Sequence, residues 1–144
     1  MRKLVFPAAI ALFLATVATA FAAPCDEVDR GLSNELKSSL SAAIANHLRS
    51  YANISVKKPS EVDVRDVFRA EGWSIIYVET PYSDPVYLFY KDDPLKNRYL
   101  TLWAGEATPD QEKAIADWVL ANAPGIPEKL ARCFAWHVTK DPDM

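Results

Sequence analysis

Apolar residues repeat at helical spacing in the stretch that follows Cys25. Leucine or isoleucine occupies every fourth position from Leu32 to Leu48, which places one apolar stripe along a helix. Ser33 stands where its hydroxyl can cap the first turn of that helix. His47 lies beside the stripe, so we expect it to be half-buried at the edge of the core.

The pattern changes from helical to alternating after the polar break at residues 57–60. Strands are predicted for residues 61–69 and for "WSIIYVET", "VYLFYK" and "RYLTLWA", and the short turns between them favour an antiparallel meander. Residues 61–69 also fit a short helix capped by Ser60, because Val64, Val67 and Phe68 follow helical spacing. Both interpretations of this segment remain open at this point.

A second helix is predicted to begin after Thr108, which can cap it, with a proline at its first position and Gln111 at its third. Residues 123–125 end this helix, and a short third helix follows from Pro127 through Cys133. The order of elements predicts an α+β domain. Its four-stranded antiparallel meander would carry helices packed on one face, cystatin-like or NTF2-like in outline.

The N-terminal residues have the composition of a secretory signal peptide. Arg2 and Lys3 precede an apolar stretch, and small residues at Ala20 and Ala22 predict cleavage near residue 22. The apolar stretch is shorter than the roughly 20 residues of a membrane span. We therefore expect residues 1–22 to be a signal peptide, residues 23–137 a single domain and residues 138–144 a flexible tail.

Export predicts a periplasmic or secreted bacterial protein with no membrane anchor after cleavage. Two alternatives remain, a retained N-terminal helix and a lipoprotein anchored at Cys25, although Pro24 stands where lipidation needs a small residue. Of the 16 basic and 19 acidic side chains, cleavage removes Arg2 and Lys3 and leaves a formal charge of −5. An acidic domain without clustered lysine and arginine is a poor match for nucleic acid.

The two cysteines are expected to form one disulfide, Cys25 to Cys133, because export places them in an oxidising compartment. Cys133 and His137, with Cys25 and His47, also make up a Cys2His2 inventory, but their spacing matches no standard zinc site. The disulfide would use both thiols. We therefore predict no metal and no cofactor.

The predicted strands are apolar on both faces, whereas a sheet with one wet face alternates apolar with polar residues. The second face needs cover from the third helix and C-terminal segment, a second copy, a partner protein or a ligand. Its aromatic side chains form the predicted binding face: Trp73, Tyr77, Tyr87, Phe89, Tyr99 and Trp103.

Aromatic surface favours binding over catalysis, so the sequence predicts an exported, non-enzymatic binding domain of the cell envelope. Its partner would be a protein, a second copy of the chain or an apolar ligand. One alternative is an NTF2-like pocket enzyme using Glu79, Glu106 or His137 as acid or base, with His137 expected at the surface. Another is a purely structural envelope protein whose sheet is covered from within.

Several stretches resemble a pattern found in small exported bacterial α+β proteins without a settled activity. They are "VRDVFRAEGWSIIYVE", "VYLFY", "YLTLWAG" and "TPDQEKAIADWVLANAPGIPEKLARCF", about half of the chain. The pattern has Gly-Trp or Gly-Asp-Trp at a hairpin turn and a tryptophan-bearing helix that ends in Gly-x-Pro. Glu71-Gly72-Trp73 stands here where Gly-Asp-Trp is expected. The resemblance implies the fold and carries no information about catalytic activity.

Overall fold

A computed structural model describes residues 23–140, so the predicted signal peptide, residues 1–22, and residues 141–144 lie outside the described part. The four strands pair antiparallel in the order β1-β2-β3-β4. This confirms the α+β class and the four-stranded meander. The elements are α1 (Asn34–Tyr51), β1 (Asp63–Ala70), β2 (Trp73–Thr80), β3 (Ser83–Lys91), β4 (Thr101–Trp103), α2 (Glu112–Asn122) and α3 (Glu128–Lys140).

Helices cover both faces of the sheet, which corrects the expectation that they pack on one face. One face, here the α1 face, packs against α1 through aliphatic side chains and one tyrosine: Val62, Val64, Val67, Ile76, Val78, Leu88 and Tyr90. The other, the α3 face, packs against α2 and α3 and is richer in aromatic residues: Phe68, Trp73, Ile75, Tyr87 and Phe89. The apolar character of both sides of each strand follows from this three-layer arrangement.

Helix α1 begins where the sequence predicts. The Ser33 hydroxyl accepts a hydrogen bond from the Leu36 N–H at 3.1 Å, and the buried stripe includes Leu40 and Ile44. His47 is half-buried beside it, with its Nδ1 3.3 Å from the Tyr90 hydroxyl. Burial lowers the pKa of His47 because a charged imidazole is poorly solvated there.

The segment with two open interpretations is mostly a strand. Residues Pro59–Glu61 form a single 3-10 turn, and β1 follows from Asp63. The register with β2 shifts between Val64 and Asp66, which is a β-bulge. Val64 therefore packs on the α1 face while Phe68 packs on the α3 face, although four residues of regular strand would place them on the same face.

A tight turn joins β1 to β2 at Glu71 and Gly72. Their φ angles are 51° and 80°, and two central residues with positive φ match the twist of a two-residue hairpin. Trp73 then enters the core directly after the turn and is 5 % exposed.

Helix α3 is longer than predicted. It runs to Lys140, and Val138 is only 3 % exposed. Residues 138–140 therefore belong to the packed domain, which corrects the predicted tail boundary. The helix continues because its buried positions continue past Cys133 at Phe134, His137 and Val138, one further turn against the sheet.

Candidate functional site

Cys25 and Cys133 form the expected disulfide, with their sulfur atoms 2.09 Å apart. The bond ties the segment before α1 to the centre of α3. Both residues belong to the core of the α3 face, Cys133 fully buried and Cys25 at its margin. A disulfide of this kind fits an oxidising compartment outside the cytoplasm. Within residues 23–140 no helix combines the length and the apolar character that crossing a membrane requires.

Phe134 on α3 is the centre of the aromatic packing. Its ring centroid lies 5.0 Å from that of Tyr87, 5.2 Å from that of Phe89 and 5.6 Å from that of Trp103, all in edge-to-face geometry. Such pairs add stabilisation beyond their buried area. The helix that carries Phe134 therefore covers most of the face that the sequence predicts to be a binding surface.

Three of the six residues in that predicted binding face need correction. Phe89 is fully buried, and Trp73 lies beneath the loop at Gly125, so neither can contact a partner. Tyr99 packs on the other side of the sheet, edge-to-face with Tyr90 at 6.3 Å. The cause is a bend at Leu100 just before β4, which breaks the alternation assumed for one continuous strand.

The remaining three form one row across the sheet. Tyr77 pairs with Tyr87 on the neighbouring strand, and Tyr87 pairs with Trp103. The two tyrosine rings are stacked, with centroids 4.5 Å apart and planes inclined by 21°. Trp103 lies 5.9 Å from Tyr87. Tyr77 and Trp103 are partly exposed, whereas Tyr87 is 3 % exposed and forms the floor between them.

A cleft of about 910 Å³ opens over this row, and we call it the aromatic cleft. The exposed carboxylates of Asp84 and Glu106 lie at its rim. They meet there because the start of β3 and the end of β4 lie at the same end of an antiparallel pair. Gly105, with φ of 123°, turns the chain immediately after β4. The other lining residues are Pro85, Ala104, Ala107 and Val138.

A partly buried polar cluster continues the same cross-strand row. Asp66 pairs with Tyr77 in the sheet register and forms an ion pair with Arg30. His137 lies close by, with Nε2 3.7 Å from the Asp66 carboxylate, and is 5 % exposed rather than at the surface as expected. Phe68 is held between the Arg30 guanidinium, 4.2 Å above its ring, and the His137 ring at 4.8 Å.

Sequence reasoning missed Arg30 and Asp66. Asp66 reaches the α3 face together with Phe68, two residues later, and the bulge before it separates this pair from Val64. A bulge leaves little trace in the pattern of apolar positions. The spacing of Asp66 and Phe68 at positions i and i+2 is the one available signal, since it places a carboxylate beside a core residue in a strand.

The three residues of the enzymatic alternative are not brought together. Glu106 lines the aromatic cleft. The Glu79 Oε1 atom lies 3.9 Å from the Arg65 Nε atom, and His137 is a buried residue of α3. Burial, with a contribution from the Glu79 charge, raises the pKa of Tyr77. The phenol at the wall of the cleft is therefore neutral at physiological pH and can donate a hydrogen bond.

The described chain contains no group of three or more histidine, cysteine or acidic side chains arranged to hold a metal ion. His47 lies on the α1 face, on the opposite side of the sheet from the Cys133 and His137 that would complete a Cys2His2 set. The sheet therefore separates His47 from the other three residues of that inventory.

No protein-family model matches this chain, and no curated protein or solved structure matches it either. The aromatic cleft, with the polar cluster beside it, is therefore the basis for inferring a function.

Proposed function

We propose that this chain is an exported, non-enzymatic binding domain of the cell envelope that holds a protein partner at the aromatic cleft. The observation that carries the proposal is the partly exposed pair Tyr77 and Trp103 on either side of Tyr87, in an open cleft. Aromatic rings held by packing provide contact area at a low cost in conformational entropy. Phe134 on α3 provides that packing for Tyr87 and Trp103.

Export to the periplasm or the cell exterior is supported by two independent features. The N-terminal residues have the basic, apolar and small-residue order of a signal peptide, and the domain has a disulfide. Intact mass of the protein from a cell-envelope fraction tests this. We expect a chain that begins at residue 23 or 24 and takes up alkylating reagent at Cys25 and Cys133 only after reduction.

A binding role has more support than catalysis. The rim carboxylates Asp84 and Glu106 are exposed, and the buried imidazole of His137 does not line the cleft. A general acid or base works best in a site that excludes water and moves its pKa toward neutrality. An open aromatic cleft instead suits recognition of a surface or an extended segment.

The test is quantitative affinity capture from an envelope extract with three forms of the oxidised protein: wild type, Trp103→Ala and Leu102→Ala. Trp103 and Leu102 are neighbours on β4 that point to opposite faces, and Leu102 is 43 % exposed. We expect a partner that is recovered with wild type and Leu102→Ala but lost with Trp103→Ala. Equal recovery by all three forms, or no reproducible recovery, would contradict the proposal.

A further inference from the structure

The aromatic cleft has a distinct electrostatic character. Two carboxylates, Asp84 and Glu106, stand at its rim, and no lysine or arginine occurs among the described residues that line it. Neither carboxylate forms an ion pair with another residue of the range 23–140. The faces of tyrosine and tryptophan rings are also electron-rich. Rim and walls therefore all favour positive charge.

Elsewhere in the molecule, cations of the chain itself lie over aromatic rings. The Arg30 guanidinium carbon lies 4.2 Å from the centre of the Phe68 ring, and that of Arg98 lies 5.1 Å from the centre of the Tyr51 ring. Within residues 23–140, no such group lies over Tyr77 or Trp103. The cleft thus has the aromatic walls of a cation-binding site, and no guanidinium or ammonium group of the described chain lies over Tyr77 or Trp103.

We propose that the aromatic cleft binds an arginine or lysine side chain on an extended segment of a protein partner. This rests on the proposed function and specifies the partner's chemistry. A cation over Tyr77 or Trp103 would gain cation–π attraction, and the charges of Asp84 and Glu106 would steer a basic segment toward the cleft. An anionic ligand would be repelled, and a neutral apolar ligand would leave both carboxylates unused.

The dimensions of the cleft favour a peptide segment over a small cation. Its volume of about 910 Å³ lies near the top of the range of roughly 300–1,000 Å³ for small-molecule sites. A small-molecule site also encloses most of its ligand, whereas this cleft is open along the ends of β3 and β4. A segment can therefore place one basic side chain between the rings and continue along the rim in both directions.

The test uses a Gly/Ser heptapeptide with one central arginine, added to the full mature, oxidised protein at low salt and followed by NMR. The matched peptide carries citrulline, which has the shape of arginine without its charge. We expect the arginine peptide to shift the indole N–H signal of Trp103 and to bind about tenfold more tightly than the citrulline peptide. Raising the salt concentration should reduce this preference.

The charge of the rim is tested with the double variant Asp84→Asn, Glu106→Gln. Its control, Glu27→Gln, Glu35→Gln, removes the same two negative charges at exposed positions outside the cleft. We expect the rim variant to lose most of the preference for arginine and the control to keep it. Both variants replace exposed side chains and should leave the free energy of unfolding within about 0.5 kcal/mol of wild type.

Equal binding of the arginine and citrulline peptides, or equal loss of preference in the rim variant and its control, would overturn the inference. L-arginine amide is the further comparison: if it binds as tightly as the peptide, the occupant is a small cation and the peptide assignment is wrong. Failure here is distinct from failure of the proposed function. If the arginine preference is absent while Trp103→Ala still loses the captured partner, only the chemistry of the partner is wrong.

Discussion

The two faces of the sheet differ in the types of side chain that form their cores. The α1 face is covered by one helix over a mainly aliphatic core, with a polar contact between His47 and Tyr90 at its edge. The α3 face has two helices, a disulfide, an aromatic cluster, a partly buried ion pair and an open cleft. The row of large rings on the α3 face leaves space at the end of the sheet. The chemistry of this molecule is therefore concentrated on one face.

Large-to-small substitutions test whether the two cores are energetically separate. Phe134 and Ile44 are both fully buried, one on each face. We expect Phe134→Ala to reduce the free energy of unfolding by about 3–5 kcal/mol and Ile44→Ala by about 2–5 kcal/mol. Urea unfolding of the oxidised protein measures both.

The milder substitutions Phe134→Leu and Ile44→Val are suitable for a double variant, which should remain folded. The sheet separates the two sites, so their effects should add within about 0.5 kcal/mol. An interaction energy above about 1 kcal/mol would show that the faces are one coupled core.

Removal of the disulfide should weaken the α3 face selectively. We expect Cys25→Ser, Cys133→Ser to reduce the free energy of unfolding by about 2–4 kcal/mol. Amide hydrogen exchange should become faster in α3 and in residues 23–31. In α1 the exchange rates should rise only by the amount that the loss of global stability explains. Uniformly faster exchange in α1 and α3 would argue against a face-specific role of the bond.

The ion pairs of the two faces should differ in value. Asp66, whose side chain is 22 % exposed, pairs with Arg30 on the α3 face, and Asp63, 39 % exposed, pairs with Lys37 on α1. We expect Asp66→Asn to cost about 1–3 kcal/mol at pH 7 and Asp63→Asn less than about 1 kcal/mol. Equal losses in urea unfolding would contradict the distinction.

The smallest expected effect is the pH response of the α1 face. Burial lowers the folded-state pKa of His47, so the unfolded chain binds more protons there than the folded one. Stability should therefore fall as pH drops below about 6.5, the ordinary histidine value. His47→Gln should remove this part of the pH dependence, and NMR titration of the His47 ring gives the folded pKa directly. A folded pKa above 6.5 would reverse the sign.

Much of the fold is readable from local signals. The leucine stripe of α1, its Ser33 cap and the pairing of Cys25 with Cys133 follow from spacing and context. Local patterns could not reveal that α1 and α3 lie on opposite faces, because strands that are apolar on both sides fit either placement. The bulge before Asp66 and the bend at Leu100 depend on pairing between distant strands.

The residues of the aromatic cleft could be predicted only in part, because their exposure also depends on tertiary packing. Tyr77, Tyr87 and Trp103 stand out as aromatic residues on alternating positions, and their common row follows from strand register. Which aromatic residues remain accessible depends on how far α3 extends. That length is decided by tertiary packing of residues such as Val138 rather than by a stop signal in the sequence.

The position of the two cysteines also imposes an order in time. Cys133 is synthesised 108 residues after Cys25, a delay of roughly 5–20 seconds at the usual 5–20 residues per second. Throughout that interval Cys25 is a thiol without its native partner. The residues of β1 to β4 and of α2 are all synthesised before Cys133. The native disulfide therefore cannot form until all four strands and α2 have been synthesised.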